Sequence, residues 1–126
     1  MDLLRALAVG SYFLIADTLW ISLFATAQYQ SRLGELLKMA EGMPLMLGLL
    51  AVYALLLIGL FLFVLTPDAS YTKAVTFGFV VYGVYGLTNY LIMPVWSIDL
   101  VLVDFFWGGF LYGSSLLVAK WINYIQ

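Results

Sequence analysis

Four stretches of roughly twenty apolar residues, divided by short polar punctuation, constrain this chain more than any other feature. An α-helix rises about 1.5 Å per residue, so about 20 residues cross the hydrocarbon of a bilayer. The first stretch runs from about Leu3 to Ala27 and is interrupted by Asp17. The second, from about Pro44 to Leu65, holds no charge; the third covers about Lys73 to Met93; the fourth, from about Ile98 to Trp121, contains Asp104. Backbone N–H and C=O groups find no water inside a membrane, so segments of this length read as helices. The sequence therefore predicts an all-α fold, a four-transmembrane-helix antiparallel bundle forming one integral membrane domain over residues 1–126.

Composition supports lipid as the solvent. Hydrophobic residues make up 65% of the chain and charged residues 10%, too few charges to cover a water-facing surface. Mean hydropathy is +1.06. The net charge of −2 rests on five basic and seven acidic residues, which gives no basic footprint for nucleic acid. With no Cys and no His, disulfides, thiolate catalysis, histidine-ligated haem and the commonest metal ligands are excluded. No cofactor is implied. Ala25-Thr26-Ala27 has the small-x-small look of a signal cleavage site, but the apolar run before it is longer than a usual signal core and carries an acid. The first stretch is read as a permanent helix.

The connections differ in length. Pro44 stands where the second helix should start, Thr66-Pro67-Asp68-Ala69-Ser70 has turn composition, and Met93-Pro94-Val95-Trp96-Ser97 is a short link. Only Gln28 to Met43 is long enough for further structure. There Leu33, Leu36, Leu37 and Ala40 share a helical face while Arg32, Glu35, Lys38 and Glu41 fall elsewhere, which suits a short interfacial helix. A solvated loop is the alternative. Four crossings put both termini on one side with Arg5, Lys73 and Lys120, against Arg32 and Lys38 on the other, which leans towards cytoplasmic termini.

Ionisable side chains at membrane depth are costly and generally face a bundle interior or a wet cavity. Asp17 and Asp104 are the two here, and Asn89 sits at similar depth on the third helix. Asp17 shares a face with Trp20, Asp104 shares one with Trp107, and Tyr82, Tyr85, Asn89, Met93 and Trp96 form a stripe at helical spacing. Asp17, Trp20, Tyr85, Asn89, Trp96, Asp104 and Trp107 are thus expected to converge on a polar pocket opening away from the termini, for a proton, a cation or a small amphiphile. The bland alternative is that both acids are structural, locking helix register by hydrogen bonds. Gly83, Gly86, Gly109 and Gly113 are expected to allow close helix packing. Trp20, Trp96, Trp121, Tyr29, Tyr71 and Tyr124 lie near span ends, where amphipathic rings anchor at the interface.

Three motifs also carry a resemblance. Ala16-Asp17-Thr18-Leu19-Trp20 with Tyr29 and Leu33-Gly34, then Tyr82-Gly83-Val84-Tyr85-Gly86-Leu87-Thr88-Asn89, then Val103-Asp104-Phe105-Phe106-Trp107-Gly108, occur in order along nearly the whole chain. Together they resemble an uncharacterised family of small bacterial-type membrane proteins catalogued as domain of unknown function 2177. The resemblance implies four helices and no established activity. Members usually carry an Asp just before Leu-Thr-Asn, where this chain has Gly86.

Three functions compete. One is a module binding or transporting a proton, cation or small amphiphile around Asp17 and Asp104. Another is an accessory or scaffold subunit that packs through Gly109, Gly113 and its uncharged second helix against a membrane-protein partner or a second copy. A lipid-processing enzyme ranks below both, because no nucleophile elbow, HExxH or Walker A pattern accompanies the acids. Membrane lipid is a partner under all three.

Overall fold

The structure, a computed structural model, describes residues 3–25, 42–93 and 96–126. Helix α1 covers Leu3–Trp20 and runs on through a wider, π-helical turn, Ile21–Ala25. Helix α2 covers Gly42–Gly59 and ends in a second such turn, Leu60–Val64. Helices α3 and α4 cover Tyr71–Ile92 and Ile98–Trp121. Four segments are long and apolar enough to cross a membrane: Leu3–Leu23, Gly42–Val64, Tyr71–Ile92 and Ile98–Trp121. The described residues contain no strand. The expected interfacial helix, together with Tyr29, Arg32 and Lys38, lies outside the described residues.

Local chemistry sets the helix ends. Ser70 caps α3, its hydroxyl accepting from the Lys73 N–H at 3.1 Å, which satisfies one of the open donors of a first turn. Helix α4 carries Asp99 in its first turn and Lys120 in its last, each at the end its charge favours. It closes in a Schellman motif. Asn123 takes φ 61°, the Asn123 N–H donates to Lys120 O at 3.1 Å, and the Tyr124 N–H donates to Ala119 O at 2.8 Å. That turn folds the last residues back, so Tyr124 packs edge-on against Phe61 and Arg5 donates to Asn123 O at 3.4 Å. Tyr124 is therefore partly tucked into the bundle, whereas Trp121 is 81% exposed as an interfacial anchor should be.

On the same side, the turn before α3 holds a small ionic cluster. Lys73 Nζ lies 2.6 Å from Asp68, and the Thr66 hydroxyl donates to Asp68 Oδ1 at 2.7 Å. These donors, the lysine first, hold the Asp68 carboxyl at about 2, below its ordinary 3.8. A folded value below the unfolded one gives a contribution complete above 3.8 and lost as pH falls through about 2. A carbon-13 carboxyl titration of the folded protein is expected to give a midpoint near 2 for Asp68. In Lys73→Ala that midpoint should climb towards 3.8, and an unmoved one would show that the lysine is not the cause.

Glycines bring α3 and α4 together as the closest pair in the fold. Gly78 faces Gly108 backbone to backbone, with no room at either position for a Cβ. Gly109 lies under Phe79 and Gly113 under Val75, while Gly83 lies against Phe105 and Gly86 against Val101. The close packing expected of Gly83, Gly86, Gly109 and Gly113 is thus spent inside the chain. Gly109 and Gly113 are therefore covered by α3 within the chain. Phe79 and Phe105 stack beside this seam at 4.3 Å between centroids.

The main core lies in the half of the bundle nearer the termini. Val9 and Phe13 of α1, Leu60 and Val64 at the end of α2, and Leu111, Tyr112 and Leu116 of α4 are all buried there. Tyr112 is central, edge-on to Phe13 at 5.1 Å and to Phe77 at 5.0 Å, and its hydroxyl donates to Leu56 O at 3.0 Å. Nearby, the Tyr12 hydroxyl donates to Ser114 Oγ at 2.7 Å. The other half of α2 is unlike this. Among its described side chains none before Gly59 is buried, and Met43, Met46, Leu47, Leu50 and Val52 are exposed. Among the described residues the bundle is therefore tight at one end and open beside α2 at the other.

Candidate functional site

The gap is a cleft of about 500 Å³ between α1, α2 and α3, with α4 behind it. Its polar side chains are Asp17 from α1, Tyr53 from α2, Tyr82 and Tyr85 from α3, and Asp104 from α4. The remaining wall is largely apolar, including Ile21, Leu49, Val52, Leu56 and Val81. Pro44 and Gly48 also line it, from the first turns of α2, so the cleft reaches towards the membrane face opposite the termini.

Both acids enter the cleft at matching depth. Asp17 stands six residues before Leu23, the end of the first span, and Asp104 six residues after Ile98, the start of the fourth. Six helical residues are about 9 Å, well inside the hydrocarbon. Each side chain is only 4% exposed.

Asp17 is held from two sides. The Trp107 indole Nε1–H donates to Asp17 Oδ1 at 3.0 Å, and the Tyr82 hydroxyl donates to the same oxygen at 3.3 Å. Trp107 is itself fixed by Trp20, the two indoles lying 4.6 Å apart and 5° from parallel. Trp20 follows Asp17 by one helical turn, so one face of α1 supplies both the acid and the plate that orients its donor. These bonds to Asp17 come from neutral groups, which lower the cost of burying a carboxylate without cancelling its charge. Asp104 lies within electrostatic reach of Tyr85, which is half exposed at the cleft wall.

The seven residues expected to converge separate into three groups. Asp17, Trp20, Tyr85 and Asp104 line the cleft. Trp107 stands behind it and reaches it through Asp17. Asn89 and Trp96 are not part of the lining. Trp96 is buried in a separate cluster with Leu100 and Val101, edge-on to Tyr85 at 6.1 Å, and Asn89 accepts the Met93 N–H at the end of α3. The helical stripe from Tyr82 to Trp96 is longer than the cleft, so its far end packs against the start of α4 instead.

Tyr53 is the wall residue that the pattern of acids and glycines did not indicate. Its signal was present all the same, since it is the one hydroxyl-bearing side chain between Pro44 and Leu65. Among the described residues no group of three or more His, Cys, Asp or Glu side chains is arranged to hold a metal ion.

A family model described as a predicted membrane protein, DUF2177, matches residues 3–121. No curated protein and no solved structure matches the chain.

Proposed function

The chain belongs to the DUF2177 family of predicted membrane proteins, and from that premise we propose that it binds a small amphiphile in the cleft between α1, α2 and α3. One observation carries the reading: Asp17 and Asp104, from helices far apart in sequence, line the same largely apolar recess. Ligand sites of small molecules are typically ~300–1,000 Å³, mostly apolar, with a few placed polar groups. A recess of about 500 Å³ with two carboxylates and three tyrosines has that composition. Its apolar wall suits an alkyl chain and its acids suit a polar head.

The test fills the recess from a position where the fold has space. Gly48 lines the cleft, and a Cβ built on it meets nothing within 4 Å. A brominated alkyl amphiphile titrated into protein in neutral maltoside micelles is expected to quench the indoles of Trp20 and Trp107 saturably. In Gly48→Phe the saturable part should fall at least fivefold while the melting temperature holds. Quenching that never saturates, or that is equal in the two proteins, would remove the cleft as a binding site.

A further inference from the structure

We propose that the ligand of this cleft is an amphiphile with a quaternary or delocalised cationic head, seated against Asp17 and the rings of Trp20, Tyr53, Tyr82 and Tyr85. The inference rests on the binding function proposed above and specifies the chemistry of the head.

Charge gives the first reason. Asp17 is buried at membrane depth and receives hydrogen bonds from neutral donors. A positive head placed beside that carboxylate recovers Coulomb energy that neutral donors do not supply, and the low dielectric magnifies the gain. None of the described residues lining the cleft is basic, so a phosphate or sulfate head would meet carboxylates without a counter-charge.

The rings give the second. Four aromatic side chains line the cleft together with the two acids, one indole and three phenols. The face of an aromatic ring is negative, and cations without N–H groups are bound by such faces together with a carboxylate. A primary ammonium carries three donors, each of which needs an acceptor when it leaves water. Among the described side chains of this wall, acceptors are confined to the two acids and the tyrosine hydroxyls, whereas a quaternary head makes no such demand. Ile21, Leu49, Val52, Leu56 and Val81 then accommodate the alkyl part.

The test compares heads on one tail. Tritiated tetraphenylphosphonium is equilibrated by dialysis with the full chain in maltoside micelles, with empty micelles subtracted. Three competitors follow: dodecyltrimethylammonium, the same chain ending in an uncharged tert-butyl group, and dodecyl sulfate. The expected result is competition by the ammonium at least tenfold stronger than by either other head. Asp17→Asn should reduce that preference to less than threefold, and Tyr85→Leu, at a half-exposed position, should weaken cation binding severalfold. If all three heads compete equally and Gly48→Phe abolishes all of them, the cation assignment is wrong while the cleft remains a binding site. If nothing binds saturably, both fail. The comparison of heads uses the wild-type protein, so it stands even where a variant does not fold.

Discussion

Gly78→Val is expected to prevent the bundle from assembling. A Cβ at position 78 would fall on the carbonyl group of Gly108, which is backbone and has no rotamer to retreat into. The only relief is separation of α3 from α4, which would also loosen the contacts of Gly109 with Phe79 and of Gly113 with Val75. In lipid there is little hydrophobic drive to hold two helices together, so their association depends on this kind of close packing. Overpacking a core typically costs ~1–3 kcal/mol and occasionally more. A rigid backbone clash at the closest crossing belongs at the upper end, about 3 kcal/mol or beyond. Unfolding in bicelles followed by steric trapping would measure it. Gly48→Val supplies the control, because that position faces open space and should change stability little. Equal stability of Gly78→Val and wild type would mean that α3 and α4 do not cross where described.

Tyr112→Ala should be nearly as damaging, by a different route. The ring is fully buried between Phe13 and Phe77 and ties α1, α3 and α4 into one layer. Truncating a large buried aromatic removes its dispersion contacts and leaves a cavity, at a typical cost of ~3–5 kcal/mol. The hydroxyl adds a separable part. It donates to Leu56 O just before the widened turn Leu60–Val64, where the ladder shifts register and Leu65 N–H reaches Leu60 O at 2.9 Å. Tyr112→Phe keeps the ring and removes only that bond, so it should cost ~1 kcal/mol. The same steric-trap measurement reads both variants. A phenylalanine variant as unstable as the alanine variant would place the stabilisation in the hydroxyl rather than in the ring.

The architecture was legible because the physics of the bilayer is severe. Apolar length alone placed four spans, and four described helices are long and apolar enough to cross a membrane; the expected end of the first, at Ala27, lies outside the described residues. The two acids stood out for the same reason: a carboxylate in hydrocarbon must be accommodated by something. Its depth and helical face were enough to anticipate Asp17 and Asp104 in a common recess. Less visible was which helix would form the opposite wall. Helix α2 is apolar all round, and in lipid a leucine meets equivalent surroundings facing a neighbour or a tail, so its sequence encodes no preferred face. The departure of its first half from the bundle could not be read from it, and the lone hydroxyl of Tyr53 was the one mark of the face that meets the cleft. Glycines posed a related difficulty. Gly83, Gly86, Gly109 and Gly113 signalled close approach, but spacing does not name the partner, and the tightest contact falls at Gly78 and Gly108.

Gly86 stands on α3 where the resemblance implies an acid. A Cβ there would lie 3.3 Å from Cα of Val101, so an acid at this site would be directed at α4 one turn from Asp104. Without it, α3 rests directly on Val101.

Among the described residues, helix α2 is anchored at one end. Its far end is clamped by Leu60, Val64 and the Tyr112 bond, while its first turns, bearing Pro44 and Gly48, border the opening. Among the described residues its buried contacts are therefore gathered at the end away from the mouth. The width of the mouth is then set by where the first two turns of α2 stand relative to α1 and α3.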